Sequence, residues 1–307
     1  MHNTCSIPKY ASNVLMVRPR DFHVNPQTIL DNHFQSIDHV QSREEIESRI
    51  QVEFNQLAQA LIQAGIKVNI FEQSDGMDTP DAIFPNNWFS THTNGTLVLY
   101  PMKAINRRLE RRHEIIQWLQ KEYSTLIELT QFEKHDKFLE GTGSLVLDRS
   151  REIAYAAISD RTHPRLVLDW CHHMNYEPVL FSARDKNRNP IYHTNVVLSL
   201  GNNFILAGLD TISDITERSL LEKSLNQESV IIIELSLEQI HQFAGNGLQL
   251  INHAGEPVFV LSSGAWKSLT SIQQELIESK TRVIHVDLSL TEQLGGGSAR
   301  CMLAELF

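Results

Sequence analysis

Apolar residues recur along this chain in two alternating periods. Val14-Leu15-Met16-Val17 is a short run of the kind a buried strand needs, whereas the stretch Arg43 to Gln63 sets Ile46, Ile50, Phe54, Leu57, Leu61 and Ile62 at helical spacing. Gly65 then stops that helix, and Lys67-Val68-Asn69-Ile70-Phe71 returns to strand character. A second cycle follows: residues 81–90 extended, Thr96-Leu97-Val98-Leu99-Tyr100 paired to them through an Asn94-Gly95 turn, a helix over 108–121, and the strand Leu126-Ile127-Glu128-Leu129. A third runs through Ser144-Leu145-Val146-Leu147, Ile153-Ala154-Tyr155-Ala156, a helix opening at His163-Pro164, and Pro178-Val179-Leu180-Phe181. The fourth has Val196-Val197-Leu198-Ser199, Phe204-Ile205-Leu206-Ala207, a helix over 215–225 and Val230-Ile231-Ile232-Ile233. The fifth has Leu248-Gln249-Leu250-Ile251, Val258-Phe259-Val260-Leu261, a helix over 270–279 and Val283-Ile284-His285-Val286. Each unit reads as hairpin, helix, strand. Five α/β units suggest a closed ring with its helices outside, because closure removes exposed sheet edges; an open α/β sheet fits the same periodicity.

Composition narrows the function classes. At 307 residues, with 41% hydrophobic and 21% charged residues, the chain has the make-up of a soluble globule with a substantial core. Nothing resembles a linker, so residues 1–307 are expected to form a single domain. A formal net charge of -10 argues against nucleic acid or an anionic membrane as partner. The densest basic run, Arg107-Arg108-Leu109-Glu110-Arg111-Arg112, is broken by a glutamate and reads as the exposed side of a helix. Cys5, Cys171 and Cys301 are too few and too scattered for a disulfide framework or a metal site. His172-His173, beside Cys171, fall in an expected helix without sharing a face, so no metal is expected. The start Met1-His2-Asn3-Thr4-Cys5-Ser6 lacks the regions of a signal peptide, and no apolar run approaches the ~20 residues of a membrane span. The expectation is a reduced, cytoplasmic protein acting on a small molecule, with homo-oligomerisation open.

Several polar groups stand where an ordinary core would not put them. Near the C-terminus, Leu294-Gly295-Gly296-Gly297-Ser298-Ala299-Arg300-Cys301 uses three glycines to deliver one cysteine beside an arginine. Cys301 is a candidate nucleophile, or a small buried hydrophobe. Phe138-Leu139-Glu140-Gly141-Thr142-Gly143 half-buries a carboxylate that suits acid/base or orienting work, or caps a turn. In Ile191-Tyr192-His193-Thr194-Asn195, His193 precedes a strand as a catalytic or a structural histidine. Asp81-Ala82-Ile83-Phe84-Pro85-Asn86-Asn87 sets an aspartate and two carboxamides against large apolar residues, as a pocket or as a turn. Asn246, ahead of the fifth unit, lines the same site or serves its turn. In a ring the first strands face one axis, and Asp81, Glu140, His193 and Cys301 would converge there.

In the order and placement of these motifs, over nearly its whole length, the chain resembles the guanidino-group modifying superfamily of arginine deiminases, dimethylarginine hydrolases and relatives. That resemblance implies the five-bladed α/β propeller, or pentein, fold. It also implies Cys301, His193 and Glu140 as catalytic residues, Asp81 as a guanidinium ligand, Arg107 and Arg161 as ligands of the substrate's α-carboxylate, and no cofactor. The chain departs from the dimethylarginine hydrolases at Asn86-Asn87, where they carry Glu-Asp, and at Gly141-Thr142-Gly143, where they carry Gly-Gly-Asp. A carboxamide grips a cation poorly but matches a neutral ureido group, which has both an acceptor and donors. The sequence therefore looks like the citrulline-hydrolysing branch, giving ornithine, ammonia and carbon dioxide. Arginine or methylarginine hydrolysis to citrulline, amidinotransfer, and a non-catalytic binding member of the fold are the alternatives.

Overall fold

In a computed structural model the chain is described over residues 9–36 and 42–307. Cys5 lies outside them. The described strands are β1 Asn13–Arg18, β2 Lys67–Glu72, β3 Phe89–Thr91, β4 Thr96–Leu99, β5 Thr125–Glu128, β6 Val146–Asp148, β7 Ile153–Ala157, β8 Glu177–Phe181, β9 Leu198–Leu200, β10 Phe204–Ala207, β11 Ile231–Glu234, β12 Leu248–Ile251, β13 Pro257–Ser262, β14 Arg282–Val286 and β15 Ala304–Leu306. They form five three-stranded sheets, ordered β3-β4-β5, β6-β7-β8, β9-β10-β11, β12-β13-β14 and β15-β1-β2.

Every sheet has one antiparallel and one parallel pairing, and the parallel partner always returns through the segment that carries the helix. In the second unit, for example, Ser90 faces Val98 across an antiparallel pair, while Val98 faces Ile127 across a parallel one. The last sheet is different in origin. Its two N-terminal strands pair in parallel, Val14 with Val68, and its third comes from the other end of the chain, with Val14 opposite Glu305. The first unit in sequence has no hairpin of its own because the C-terminal strand supplies it. Five separate sheets exclude the open α/β sheet and agree with the pentein propeller.

Helices Arg43–Gln63, Pro164–Met174, Ile215–Leu225 and Ser271–Glu278 match the helical periods. Ser42 closes a capping box with Glu45 at the start of the first, which satisfies two amide donors that a helix end leaves free. Ile50, Phe54, Leu57 and Leu61 on that helix are buried against Val258, Val260 and Ile284 of the neighbouring blade. No helix among the described residues is long and apolar enough to cross a membrane.

Two local expectations are corrected. Residues 81–90 are not extended: Pro80–Ile83 and Pro85–Asn87 are tight helical turns, and only Phe89–Thr91 is strand. Each proline stands first in its turn, where its fixed φ suits a turn and its missing N–H costs nothing. The run from Arg107 to Arg112 is not an exposed helix face. Asn106–Glu110 is a 3-10 turn separate from the helix His113–Leu119, and Arg107 and Glu110 are both buried. A charge pattern cannot tell a solvated face from an ion pair folded inward.

Candidate active site

Single turns ahead of the inner strands carry the polar residues. Pro85–Asn87 precedes β3, Gly141–Ser144 precedes β6 with Glu140 as its N-cap residue, and Thr194–Val196 precedes β9 with His193 in the same place. Asn246 closes a turn onto Phe243 ahead of β12, and Cys301 closes one onto Ser298 ahead of β15. Repetition of one local device around the ring therefore brings residues from distant parts of the chain to one axis.

Gly141 and Gly143 allow these turns to touch. Gly141 has φ +47°, and a Cβ there would stand 2.3 Å from the carbonyl oxygen of Asn86. A Cβ on Gly143 would stand 2.5 Å from Nδ2 of Asn87 and 2.6 Å from Nδ1 of His193. The turn carrying Cys301 is anchored from behind. Glu53, buried on helix Arg43–Gln63, accepts from the backbone N–H groups of Leu290 and Thr291 at 2.8 and 2.9 Å, and so caps the π-helical turn Thr291–Gly295 that leads into the glycines.

His193 and Glu140 form a buried pair, Nε2 to Oε2 at 2.9 Å. Burial alone would raise the Glu140 carboxyl, but Arg161, the His193 hydrogen bond and Arg107 together hold it down to about 2. An ionised Glu140 requires the proton on Nε2, which leaves Nδ1 of a neutral His193 as the basic nitrogen. Burial pushes His193 below its ordinary value, with Glu140 pulling the other way. The same burial pushes the Cys301 thiol up, opposed by the Ser298 backbone, Asn246, Arg300 and Asn195. Cys171, buried in helix Pro164–Met174, is pushed up to about 12 by burial with no such opposition.

Asp81, Asn87, Arg107, Arg161, His193 and Cys301 line one narrow cavity with about 240 Å³ of empty space, joined by Asn32, Phe84, Tyr192, Gly295 and Gly297. Glu140 stands behind His193, and Asn86 is buried beside the cavity rather than on its lining. Four side-chain atoms here have no hydrogen-bond partner among the described residues: Oδ1 of Asp81, Nδ2 of Asn87, and both ends of the Asn86 amide. Buried polar groups are nearly always paired, so the free atoms of Asp81 and Asn87, which line the cavity, mark a place for a polar ligand. The opposite atoms are taken. Oδ2 of Asp81 accepts from Asn25 at 2.8 Å and Thr28 at 3.1 Å, and Oδ1 of Asn87 accepts from Nη1 of Arg107 at 2.8 Å.

Both arginines are already engaged. Arg107 meets Glu110 in a fork, Nε to Oε1 at 2.8 Å and Nη2 to Oε2 at 3.0 Å, and also donates to the carbonyl of Phe84. Glu110 is raised to about 7 by burial against the pull of Arg107. Arg161 is gripped by Asp31, donates to the carbonyl of Thr28, and lies 3.7 Å from Glu140. Asp31 belongs to a loop, residues 22–36, that also sends Asn25 and Thr28 to Asp81 and hydrogen-bonds the glycine run through Asn32 and Gln35. Lys103 holds Asp31 from the outside at 2.7 Å. This loop closes over the cavity, and nothing in its sequence announces it. Asn195 is the other unforeseen member, with Nδ2 at 3.7 Å from Sγ of Cys301; Asn246, left open between site and turn, serves both. No cluster of three or more His, Cys, Asp or Glu side chains among the described residues is arranged to hold a metal ion.

The family model for N,N-dimethylarginine dimethylhydrolase, eukaryotic, matches residues 18–307. The chain belongs to this family. Its membership places it in the guanidino-group modifying superfamily, as the order of Asp81, Glu140, His193 and Cys301 implied. No curated protein sequence matches the chain. Among solved structures, ArgZ, an arginine dihydrolase from the ornithine-ammonia cycle in cyanobacteria, shares 20% identity and a TM-score of 0.74 over 95% of this chain. The chain spans 40% of the length of that structure. The N-terminal domain of ArgZ bound to product aligns with a TM-score of 0.72 at 20% identity, covering 96% of this chain and 97% of that domain. A dimethylarginine dimethylaminohydrolase adduct with 4-chloro-2-hydroxymethylpyridine follows at 0.66 and 15%, covering 96% of this chain and all of that one. At these identities the likeness is one of fold.

Proposed function

We propose that this dimethylarginine dimethylhydrolase family member is a cysteine-dependent hydrolase of the ureido head of citrulline. The observation that carries the reading is the orientation of Asn87. Its oxygen accepts from Arg107, which has only donors, so the amide edge left free is an N–H. A guanidinium presents donors alone and would meet that edge donor to donor. A ureido group offers a carbonyl acceptor to Asn87 and an N–H to the free Oδ1 of Asp81.

In this reading Cys301, as thiolate, attacks the ureido carbon. The ornithine nitrogen leaves with a proton delivered through His193, and a carbamoyl group stays on sulfur. Water, deprotonated by Nδ1 of His193, then displaces the sulfur, and the carbamate breaks down to ammonia and carbon dioxide. Glu140 holds His193 in the required tautomer. Arg161 takes the substrate's α-carboxylate once Asp31 releases it, while Arg107, its N–H groups committed, positions Asn87.

A second reading, arginine or methylarginine hydrolysis to citrulline, is favoured by the family match and by the open carboxylate oxygen of Asp81, which suits a cation. Incubation of the purified protein with citrulline and, separately, with arginine decides between them, with Cys301→Ala in parallel. Ornithine and ammonia from citrulline, absent in the variant, are expected. Citrulline from arginine with no turnover of citrulline would overturn the ureido assignment, and loss of neither activity in Cys301→Ala would overturn the nucleophile.

A further inference from the structure

The sulfur of Cys301 lies between two carboxamides whose orientations are set by other bonds. Oδ1 of Asn246 accepts from the backbone N–H of Arg300 at 3.1 Å, so its other end is Nδ2, which donates to the carbonyl of Asn195 at 2.9 Å and stands 3.4 Å from Sγ. Nδ2 of Asn195 donates to the carbonyl of Thr142 at 3.2 Å and stands 3.7 Å from Sγ, whereas the oxygens of Asn195 and Asn246, which accept from the neutral thiol, lie slightly farther at 3.9 and 3.6 Å. A carbonyl only accepts, so neither amide can turn over without losing that bond. Asn195 and Asn246 are fully buried and come from two different blades, converging on a sulfur delivered by a third.

We infer that Asn195 and Asn246 form a thiolate-holding pair, catalytic residues whose fixed N–H groups receive the charge that develops on Cys301 when its proton leaves for solvent or a base. The inference deepens the cysteine-hydrolase reading and rests on it for its role in turnover, though the thiolate itself forms without substrate. Few other groups near the sulfur could do this. Arg300, on the same turn, spends its guanidinium on the carbonyl of Leu303 and on Glu305, at 2.8 and 2.7 Å. Across the cavity stand Asp81, Arg107, Arg161, Tyr192 and His193, with Glu140 behind the histidine. The two arginines there are paired to carboxylates, and Tyr192 donates to the carbonyl of Gly296. Burial otherwise disfavours a negative sulfur, and donors in a dry site act without reorganising.

The test is the pH dependence of Cys301 alkylation by iodoacetamide in the free enzyme, located by peptide mass spectrometry, with Cys171 as the buried reference. Asn195→Ala removes one donor without touching the backbone of the Cys301 turn. Asn246→Asp keeps the size and the acceptor for the Arg300 N–H but replaces the donor by an oxygen that adds a negative charge, so the uncharged Asn195→Ala is the variant that separates loss of a donor from added charge. Each should move the thiol midpoint upward, Asn246→Asp by about one to two units, which is roughly a ten- to hundredfold slower alkylation at pH 7. Folded variants that both titrate like the parent would overturn the assignment. Should Asn246→Asp fail to fold, Asn195→Ala decides alone. Because no substrate is used, failure of the citrulline reading leaves this result unaffected.

Discussion

Arg107 donates from Nη1 to Oδ1 of Asn87 at 2.8 Å, and this one bond decides which edge of the carboxamide the cavity meets. Asn87→Asp replaces the free N–H by an acceptor at unchanged size and adds a negative charge beside Asp81. Citrulline turnover is expected to fall about 10- to 100-fold in kcat/KM, the cost of one buried donor, while binding of arginine improves. Steady-state kinetics on both substrates measure it; equal losses on both would show that Asn87 does not read the head group.

Gly143 packs against two site side chains at once. A methyl group there would overlap Nδ2 of Asn87 at 2.5 Å and Nδ1 of His193 at 2.6 Å. Gly143→Ala is expected to lower kcat by more than about 100-fold, since an ångström of displacement at reacting groups costs that much. Thermal unfolding should stay that of a folded protein, because Gly143 lies outside the positive-φ region that would strain an alanine.

Asp31 and Arg161 latch the covering loop. Asp31→Asn leaves Arg161, among the described residues, with Glu140 as its only close carboxylate and Lys103 with Asp160. The loop should open more often, and iodoacetamide should reach Cys301 at least about fivefold faster at fixed pH, a gating effect. An unchanged rate would mean that the loop is held by Asn25, Thr28, Asn32 and Gln35 without the ion pair.

Glu292 sits under the Cys301 turn, hydrogen-bonded to Ser298 at 2.5 Å. Burial raises it to about 7 against the hydrogen bonds of Ser262 and Ser298, with Glu53 and Asp287 adding to the rise. A carboxyl raised by folding stabilises the protein fully below its unfolded value and loses that contribution as pH climbs through about 7. Glu292→Gln removes the titration and keeps a hydrogen-bonding side chain. Its melting temperature relative to the parent should therefore rise by a few degrees between pH 5 and pH 8, roughly what a contribution of this size moves in a chain of this length. A pH-independent difference would place the charge of Glu292 in solvent.

Periodicity alone marked the five repeated units, the principal helices and most strands, because alternation and 3.6-residue spacing are local consequences of which side chains meet water. The residue types also carried chemistry: a cysteine after three glycines, a histidine and a glutamate each just ahead of an inner strand, and two adjacent asparagines set among large apolar residues. Those features survive in one dimension because each depends on neighbours a few positions away. The tertiary structure decided the rest. Ring closure, with β15 laid against β1, completes the blade that the first unit leaves short, and pairing of residues some 290 positions apart leaves no local trace. Burial of Arg107 with Glu110 turned an apparent surface run into the support of Asn87. Only the packed turns set Asn195 and Asn246 beside the sulfur and brought Asp31 down onto Arg161, since a hydrogen bond between distant residues depends on distances that no spacing in the chain encodes.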